Sequence, residues 1–390
     1  MRFPEFQGEW CFSTIGEQFD LYSGNTPSRL NKEHFEGNVN WITSGELKEH
    51  YISDTKEKIS EDAATANNLK LLHPGTFVIA IYGLEADGVR GTGSITCKES
   101  TISQACMAFT QKGDVKNEFL YSWYKKHGNI IGIKYAQGTK QQNLSYDILE
   151  KFHIAYPSQD EQDKLIKFIS LLDERIASQS KLIEDLKKLK SAIIVEHYRQ
   201  TEKNEVCVAD LGNHFNVGNL AKDDLSETGK PCIIYGELFT TYGEIISQIE
   251  SHTNKTEGMI LSKKGDLLFP SSTTVDAVSL IAPSVINVDN VILGGDMFGI
   301  HINHNYNTQY LSYYFNHIAK KQLAKFAKGS TIIHLHYTDI EKAKLLLPSL
   351  EEQNRMAKCL VALDKKVSVE QNLLSSLTCQ KSYLLQQMFI

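Results

Sequence analysis

Two stretches of the chain, residues 157–199 and 348–390, place an apolar residue at every third or fourth position and contain neither glycine nor any proline after the first residue. Stepping by four and three picks out Leu165, Ile169, Leu172, Ile176, Gln179, Ile183, Leu186, Lys190 and Ile193 in the first stretch. The same steps give Met356, Leu360, Leu363, Val367, Glu370, Leu374, Leu377, Lys381 and Leu384 in the second. A seam repeating every 3.5 residues over about four heptads predicts two long helices that supercoil together. Each begins with the same signal, PSQDEQ at 157–162 and PSLEEQ at 348–353. Ser158 and Ser349 stand at the N-cap and Glu161 and Glu352 three residues on, which predicts a capping box in both. Acidic residues at 160, 161 and 163 also suit the positive end of a helix dipole.

The rest of the chain has a different texture. Short β-branched and aromatic runs such as FVIAIY (77–82), CIIY (232–235) and SLIA (279–282) alternate with Gly, Asn and Ser clusters. That pattern reads as mixed, β-rich structure. Each half also carries one plausible helix near its end, over 118–127 and 309–326. The halves match: the two helix starts lie 348 − 157 = 191 positions apart. At the same offset AQGTKQQNLSY (136–146) aligns with AKGSTIIHLHY (327–337), SGELKE (44–49) with YGELFT (235–240), and NEFLYSWY (117–124) with TQYLSYYF (308–315). A duplicated unit of this length is a repeated domain plus helix, not a solenoid repeat. The predicted organisation is a first domain over 1–155, a central helix over 156–200, a second domain over 201–347 and a C-terminal helix over 348–390.

The polar breaks in the seam set its direction. In a parallel pair Lys190 would face Lys381, a like-charge layer; in an antiparallel pair about the middle of the seam, Gln179 meets Glu370 and the lysines fall near Leu360 and Ile169. The expected fold is therefore α+β: two similar β-rich mixed domains separated by a two-helix antiparallel coiled coil, with a pseudo-two-fold internal repeat. The seam covers roughly 42 Å at about 1.5 Å per residue.

Composition narrows the class. A chain of 390 residues with 41% hydrophobic content accommodates two domains. Its longest apolar run, residues 77–82, is far short of the roughly 20 residues of a membrane span. MRFPEFQGEW lacks a signal-peptide hydrophobic region, so a cytoplasmic protein without membrane contact is expected. The seven cysteines form no CxxC pair and predict neither a disulfide framework nor a zinc site. A net charge of −6 argues against indiscriminate DNA coating, because non-specific affinity comes from summed positive charge.

The order of domain, PSxxEQ helix, domain, PSxxEQ helix resembles the specificity subunit of type I restriction-modification systems over essentially the whole chain. RFPEFQGEW (2–10), SGNTPS (23–28), the two GEL triplets, GTKQQNLSY, GSTIIHLHY, PSQDEQ and PSLEEQ carry the resemblance through their duplicated order. It implies that each domain is a target recognition domain reading one half of an asymmetric, split double-stranded DNA site. It also implies that the helices dock methyltransferase (modification) subunits, with two expected, and bring restriction/translocase subunits into the complex. The chain itself is then non-catalytic and without cofactors; S-adenosylmethionine, ATP and Mg are expected on the partner subunits. Two reading modules on a rod fit half-sites about one helical turn, roughly 34 Å, apart.

Candidate DNA contacts follow the repeat. In the first domain they are Lys125, Lys126, Lys134, Lys140, Gln141, Gln142 and Asn143, around Gly138. In the second they are Lys320, Lys321, Lys325, Lys328, Ser330 and Thr331, around Gly329. Lysines suit phosphates, and Gln or Asn pairs with adenine edges. Lysines late in a helix also complete its dipole; their repetition before a Gly-[Thr/Ser] loop favours DNA. Arg29 is a further candidate if the SGNTPSR turn faces the groove, and Ser271, Ser272 and Thr273 in SSTT read equally as hydroxyls for a DNA backbone or as the closing of a hairpin, whereas Glu46 and Glu237 of the GEL triplets are expected to cap amides.

Two rival classes are weaker. A self-contained methyltransferase or nuclease lacks support, since no Asn/Asp-Pro-Pro-aromatic motif and no GxxxxGK[ST] loop occurs and GVRGTG (88–93) is wrongly spaced for a cofactor turn. A two-domain coiled-coil scaffold that binds only proteins is the alternative favoured by the acidic balance of both domains.

Overall fold

The computed structural model describes residues 1–390 except Asp87, Thr139 and Lys140. The chain forms two compact units, Met1–Ser180 with Asn372–Ile390, and Lys181–Gln371. Each long helix is divided between them, so the linear partition expected from the sequence becomes one in which every domain is built together with parts of both helices.

The first unit holds a five-stranded sheet with spatial order Phe19–Ser23, Cys106–Gln111, Phe77–Ala80, Gly93–Thr96 and Tyr51–Ile52. A three-stranded sheet of Lys58–Ile59, Val39–Ile42 and Ser100–Ile102 accompanies it. The second unit repeats the main sheet strand for strand: Gly212–Asn216, Met297–Ile302, Asp266–Pro270, Ser284–Ile286 and Ile245–Ile246. In both, the last strand joins in parallel and the others run antiparallel. The strand that enters each domain pairs antiparallel with the strand that leaves it, Cys11–Thr14 with His153–Tyr156 and Asn204–Cys207 with Lys344–Leu347. Each domain is thus closed at its base, where the long helix begins.

Of the runs that read as strands, FVIAIY and CIIY enter sheets, as Phe77–Ala80 and Lys230–Ile234, whereas SLIA falls on the short helix Ala277–Leu280; the central strands are buried because apolar side chains point to both faces of the sheet. Phe77, Val78 and Ile79 are fully buried, as are Leu267, Leu268 and Phe269. On one face of the first sheet Phe77 and Ile79 pack with Phe119, Leu120 and Tyr124 of the domain helix; Val78 and Ala80 meet Ile42 and Leu47 on the other. The second unit builds the corresponding core from Leu267, Phe269 and Ile300 with Tyr310, Leu311, Tyr314 and Phe315.

The two domain helices differ from their expected bounds. The first covers Asn117–Tyr135, eight residues beyond the expected end, 135 − 127 = 8. Its internal glycines are used for packing: a Cβ on Gly128 would lie 2.8 Å from Gly91 Cα, and one on Gly132 would lie 2.9 Å from Arg90 Cγ. The second stops at His317 and gives way to two short turns, Lys320–Leu323 and Ala324–Phe326.

The long helices cover Gln159–Gln200 and Leu350–Met388. All seam positions, from Leu165, Ile169, Leu172, Ile176, Gln179, Ile183 and Leu186 to Leu360, Leu363, Val367, Glu370, Leu374 and Leu377, are buried or half-buried. Within the first unit Asp173 pairs with Lys381; within the second Lys190 Nζ lies 2.7 Å from Asp364 Oδ1. Both pairs sum to 554 in residue number, 173 + 381 and 190 + 364, the signature of one antiparallel register in each unit. The two lysines that break the seam therefore meet carboxylates one turn beyond Ile169 and Leu360.

Only half of the expected capping box forms in the second helix: Ser349 Oγ accepts from Glu352 N at 3.3 Å, but the Glu352 carboxylate binds His197 and Arg355. In the first helix the Glu161 carboxylate accepts two bonds from Arg2. The glutamine that follows is what ties helix to domain. Gln162, fully buried, donates to Pro157 O at 3.0 Å and accepts from Lys116 N at 3.0 Å. Gln353 does the same with Pro348 O at 2.9 Å and Asn307 N at 3.0 Å. Lys116 and Asn307 are the residues that start the two domain helices.

Candidate nucleic-acid interface

The duplicated Gly-[Thr/Ser] segments are closed by equivalent bridges in both units, Gln137 with Asn143 and Lys328 with His334. Gly138 has φ +123° and Gly329 φ +112°, backbone that favours glycine. A Cβ on either would come within 2.0 Å of a carbonyl oxygen across the turn, that of Gln141 or Ile332. Each hairpin lies against the chain just after a central sheet strand. Asn143 bridges Tyr82, and Ser272 and Thr273 pair with His334 and Ile333.

Of the candidates in the first unit, Lys134 and Gln141 are exposed, and Gln142 and Asn143 are half-buried. The Gln142 amide donates to Glu85 Oε2 at 2.8 Å, so the hairpin is held from both sides. Lys140 falls outside the described residues. Lys125 and Lys126 do not belong to this surface. The Lys125 ammonium sits over the Tyr121 ring at 5.2 Å, and burial, aided by repulsion from Lys381, pushes its pKa down to about 8. Lys126 donates to Gln386 O and Phe389 O, completing the end of the C-terminal long helix. Both lie mid-helix because the domain helix runs on to Tyr135. Arg29 is also engaged: it makes a two-pronged pair with Glu57 at 2.7 and 2.8 Å and stacks on Phe35 and Trp41. Its turn is packed on the smaller sheet, where a Cβ on Gly24 would lie 1.9 Å from Ile102 O.

In the second unit Lys321, Lys325, Ser330 and Thr331 are exposed and Lys320 is half-buried. Lys328 is exposed and paired with Asp339 at 2.6 Å. Ser271 and Ser272 are buried, which fits the closing of a hairpin and not hydroxyls free for a DNA backbone. Ser271 accepts from Leu335 N through its carbonyl, and Ser272 Oγ donates to Asp296 Oδ2 at 2.7 Å. They close the strand that carries the hairpin, and Thr273 is the half-buried member of the triplet beside them.

Three motifs far apart in sequence meet in a cleft of about 370 Å³ in this unit. Tyr235, Gly236, Phe239 and Thr240 come from the GEL segment, Ser272, Thr273 and Thr274 from SSTT, and Ile332 and His334 from the hairpin. The acidic residues of the GEL triplets are structural, as expected. Glu237 accepts from Ile234 N at 2.8 Å and Ser251 Oγ at 2.5 Å; Glu46 accepts from Thr43 N at 2.9 Å and Lys56 N at 2.7 Å. The histidines of the second half are spread over separate roles, His301 on Asp266 and His317 on Glu244.

Between the domain and the long helices each unit has a half-buried polar cluster that sequence reading missed. In the first, His50 is sandwiched between Tyr51 and Tyr121 at 4.1 and 3.9 Å, with Nε2 2.8 Å from Glu118 and Nδ1 3.4 Å from Asp173. Burial alone would lower its pKa, but the two carboxylates raise it overall. In the second, Lys190 Nζ donates to Glu244 at 2.9 and 3.0 Å as well as to Asp364, which also accepts from Tyr313. The signal was available: Asp173 and Asp364 are equivalent in the repeat, as are Lys190 and Lys381.

The chain belongs to the family described as the type I restriction modification DNA specificity domain, which it matches twice, over residues 7–188 and 201–378. It is 22% identical over 398 aligned positions to the type I restriction enzyme MjaVIII specificity subunit of Methanocaldococcus jannaschii, covering 95% of this chain and 89% of that one. The MjaIX specificity subunit of the same organism is 28% identical over 185 residues, 46% of this chain and 42% of the relative's length. Among solved structures, the type I restriction-modification S subunit from M. genitalium superposes with a TM-score of 0.60 at 19% identity, over 100% of this chain and 99% of that one. A second, from work on complex assembly and conformational transition of the type I R-M system, gives 0.61 at 14% identity over 98% of both. Among the described residues, no helix is long and apolar enough to cross a membrane.

Proposed function

We propose that this specificity subunit reads a two-part, asymmetric DNA site, one half with each unit, and presents it to methyltransferase subunits docked on the long helices. The observation that supports the reading is a pair of equivalent segments, each closed by one bridge and each opened by a glycine at positive φ, with different side chains at matching positions, Gln141-Gln142 against Ile332-Ile333. Equivalent bridges put the reading element at the same position of each domain; unequal side chains there call for unequal half-sites. Lys134 in the first unit and Lys321 and Lys325 in the second supply phosphate contacts that position the domains without specifying sequence.

Acidic residues outnumber basic ones in the chain, 47 to 41, so the phosphate grip of the chain alone is weak and the partner subunits contribute to it. The chain carries no chemistry in this reading; S-adenosylmethionine, ATP and Mg act on the partners. The test is to co-express the chain with its methyltransferase subunit in a host free of methylation and to map modified adenines across the genome. The expected result is one asymmetric motif of two short half-sites with a fixed gap. An assembled complex that yields no motif would favour the protein scaffold instead.

A further inference from the structure

The hairpin tip of the second unit bears a side chain that the fold leaves exposed. Gly329, at φ +112°, turns the chain tightly against the Ile332 carbonyl and so fixes the direction of residue 332. Ile333 packs against the core of the unit, whereas the Ile332 side chain is 49% exposed. Phe239, on the GEL segment, is 37% exposed and lines the same cleft. The rest of the cleft lining is polar, with the hydroxyls of Thr240, Thr273 and Thr274, the His334 ring and the exposed carboxylate of Asp296, which accepts from Ser272 Oγ at 2.7 Å. An exposed aliphatic and an exposed aromatic side chain, rimmed by polar groups in one small cleft, mark a contact site more than a packing accident.

We infer that Ile332, with Phe239 lining the same cleft, reads the 5-methyl group of a thymine in the half-site bound by the second unit. The inference rests on the DNA reading above and adds the kind of contact. The thymine methyl is the one apolar group that a base pair presents in the major groove, and aliphatic or aromatic side chains are its natural partners. The exposed Lys321 and Lys325 lie on the short turns that run directly into this hairpin, so phosphates are held close to the apolar tip. In the first unit the equivalent position is the exposed Gln141, whose amide suits hydrogen bonding to a base edge. One half-site is then read through a methyl contact and the other through hydrogen bonds.

The test uses the assembled complex of this chain with its methyltransferase subunits and duplexes carrying its mapped motif. Each thymine of the motif, on either strand, is replaced in turn by uracil, which removes only the methyl group. One replacement is expected to weaken binding about four-fold, the worth of one buried methyl, and Ile332→Ala is expected to bind the thymine and uracil duplexes equally. Unchanged affinity at every uracil position, or discrimination that survives in Ile332→Ala, would overturn the inference. So would a motif without thymine. If Ile332→Ala instead loses assembly with the methyltransferase while the wild type ignores uracil, the patch belongs to a protein contact and the inference fails. A wild-type complex with no motif at all would bring down the DNA reading itself.

Discussion

Replacing Lys190 by alanine is expected to destabilise the second unit by about 3–5 kcal/mol, the cost of stripping the partner from buried charges. Lys190 is 8% exposed and holds two carboxylates at once, Glu244 at 2.9 and 3.0 Å and Asp364 at 2.7 Å. Without the ammonium, Glu244 keeps its bond from His317, and Asp364 keeps Tyr313. Burial works against the charged form of Lys190, but the two carboxylates outweigh it and raise its pKa. Burial likewise works against ionised Glu244, yet the bond from His317 and the charge of Lys190 carry its pKa down from 4.5 to about 2. A folded pKa below the unfolded one means that stability from this carboxylate is full above about pH 4.5 and is lost as pH falls toward 2. Urea unfolding of the intact chain as a function of pH reads both effects. A loss below about 1 kcal/mol in Lys190→Ala would mean that the cluster behaves as an exposed ion pair.

Lengthening both long helices by one heptad is expected to move the two half-sites apart by about three base pairs. Seven residues add about 10.5 Å of helix, and a duplex turn of roughly 34 Å holds about ten base pairs. Inserting the heptads after Ser180 and after Gln371 places them at the boundary of the two compact units, so the contacts inside each are kept. The register also survives, because matched heptads preserve the 3.5-residue seam and leave Asp173–Lys381 and Lys190–Asp364 paired. Methylation mapping reads the gap directly. A motif with an unchanged gap would separate the helices from the spacing of the site and refute their role as a ruler.

The fold was legible in the sequence wherever a period or a repeat carried it. The seam appears in burial as the 3.5-residue step requires, and the antiparallel direction followed from where Lys190 and Lys381 break it. The duplication was visible as an offset, and the strand orders of the two main sheets repeat it. The unread parts depend on contacts distant in sequence. Gln162 and Gln353 were quoted within PSxxEQ but assigned no task, since only the fold brings Lys116 and Asn307 to them. Lys125 and Lys126 read as the cationic end of a helix expected to stop at residue 127; the helix continues to Tyr135, with Gly128 and Gly132 packed closely on Gly91 and Arg90. Ser271 and Ser272 read equally as hydroxyls for a DNA backbone or as the closing of a hairpin, and only the fold, which buries them beside Asp296, separates the two. The cleft with Ile332 and Phe239 was invisible for the same reason: its three walls come from segments about 30–60 residues apart.

The most direct test of the account is a hybrid chain in which residues 201–347 are replaced by a second copy of residues 1–155, joined at the duplicated strand pairs that close each domain, followed by mapping of its methylated sites with the same methyltransferase subunits. If each unit reads its own half-site, the motif will contain the first half-site twice and the original second half not at all. A hybrid that assembles and still modifies the original asymmetric motif would contradict the assignment of one half-site to each unit.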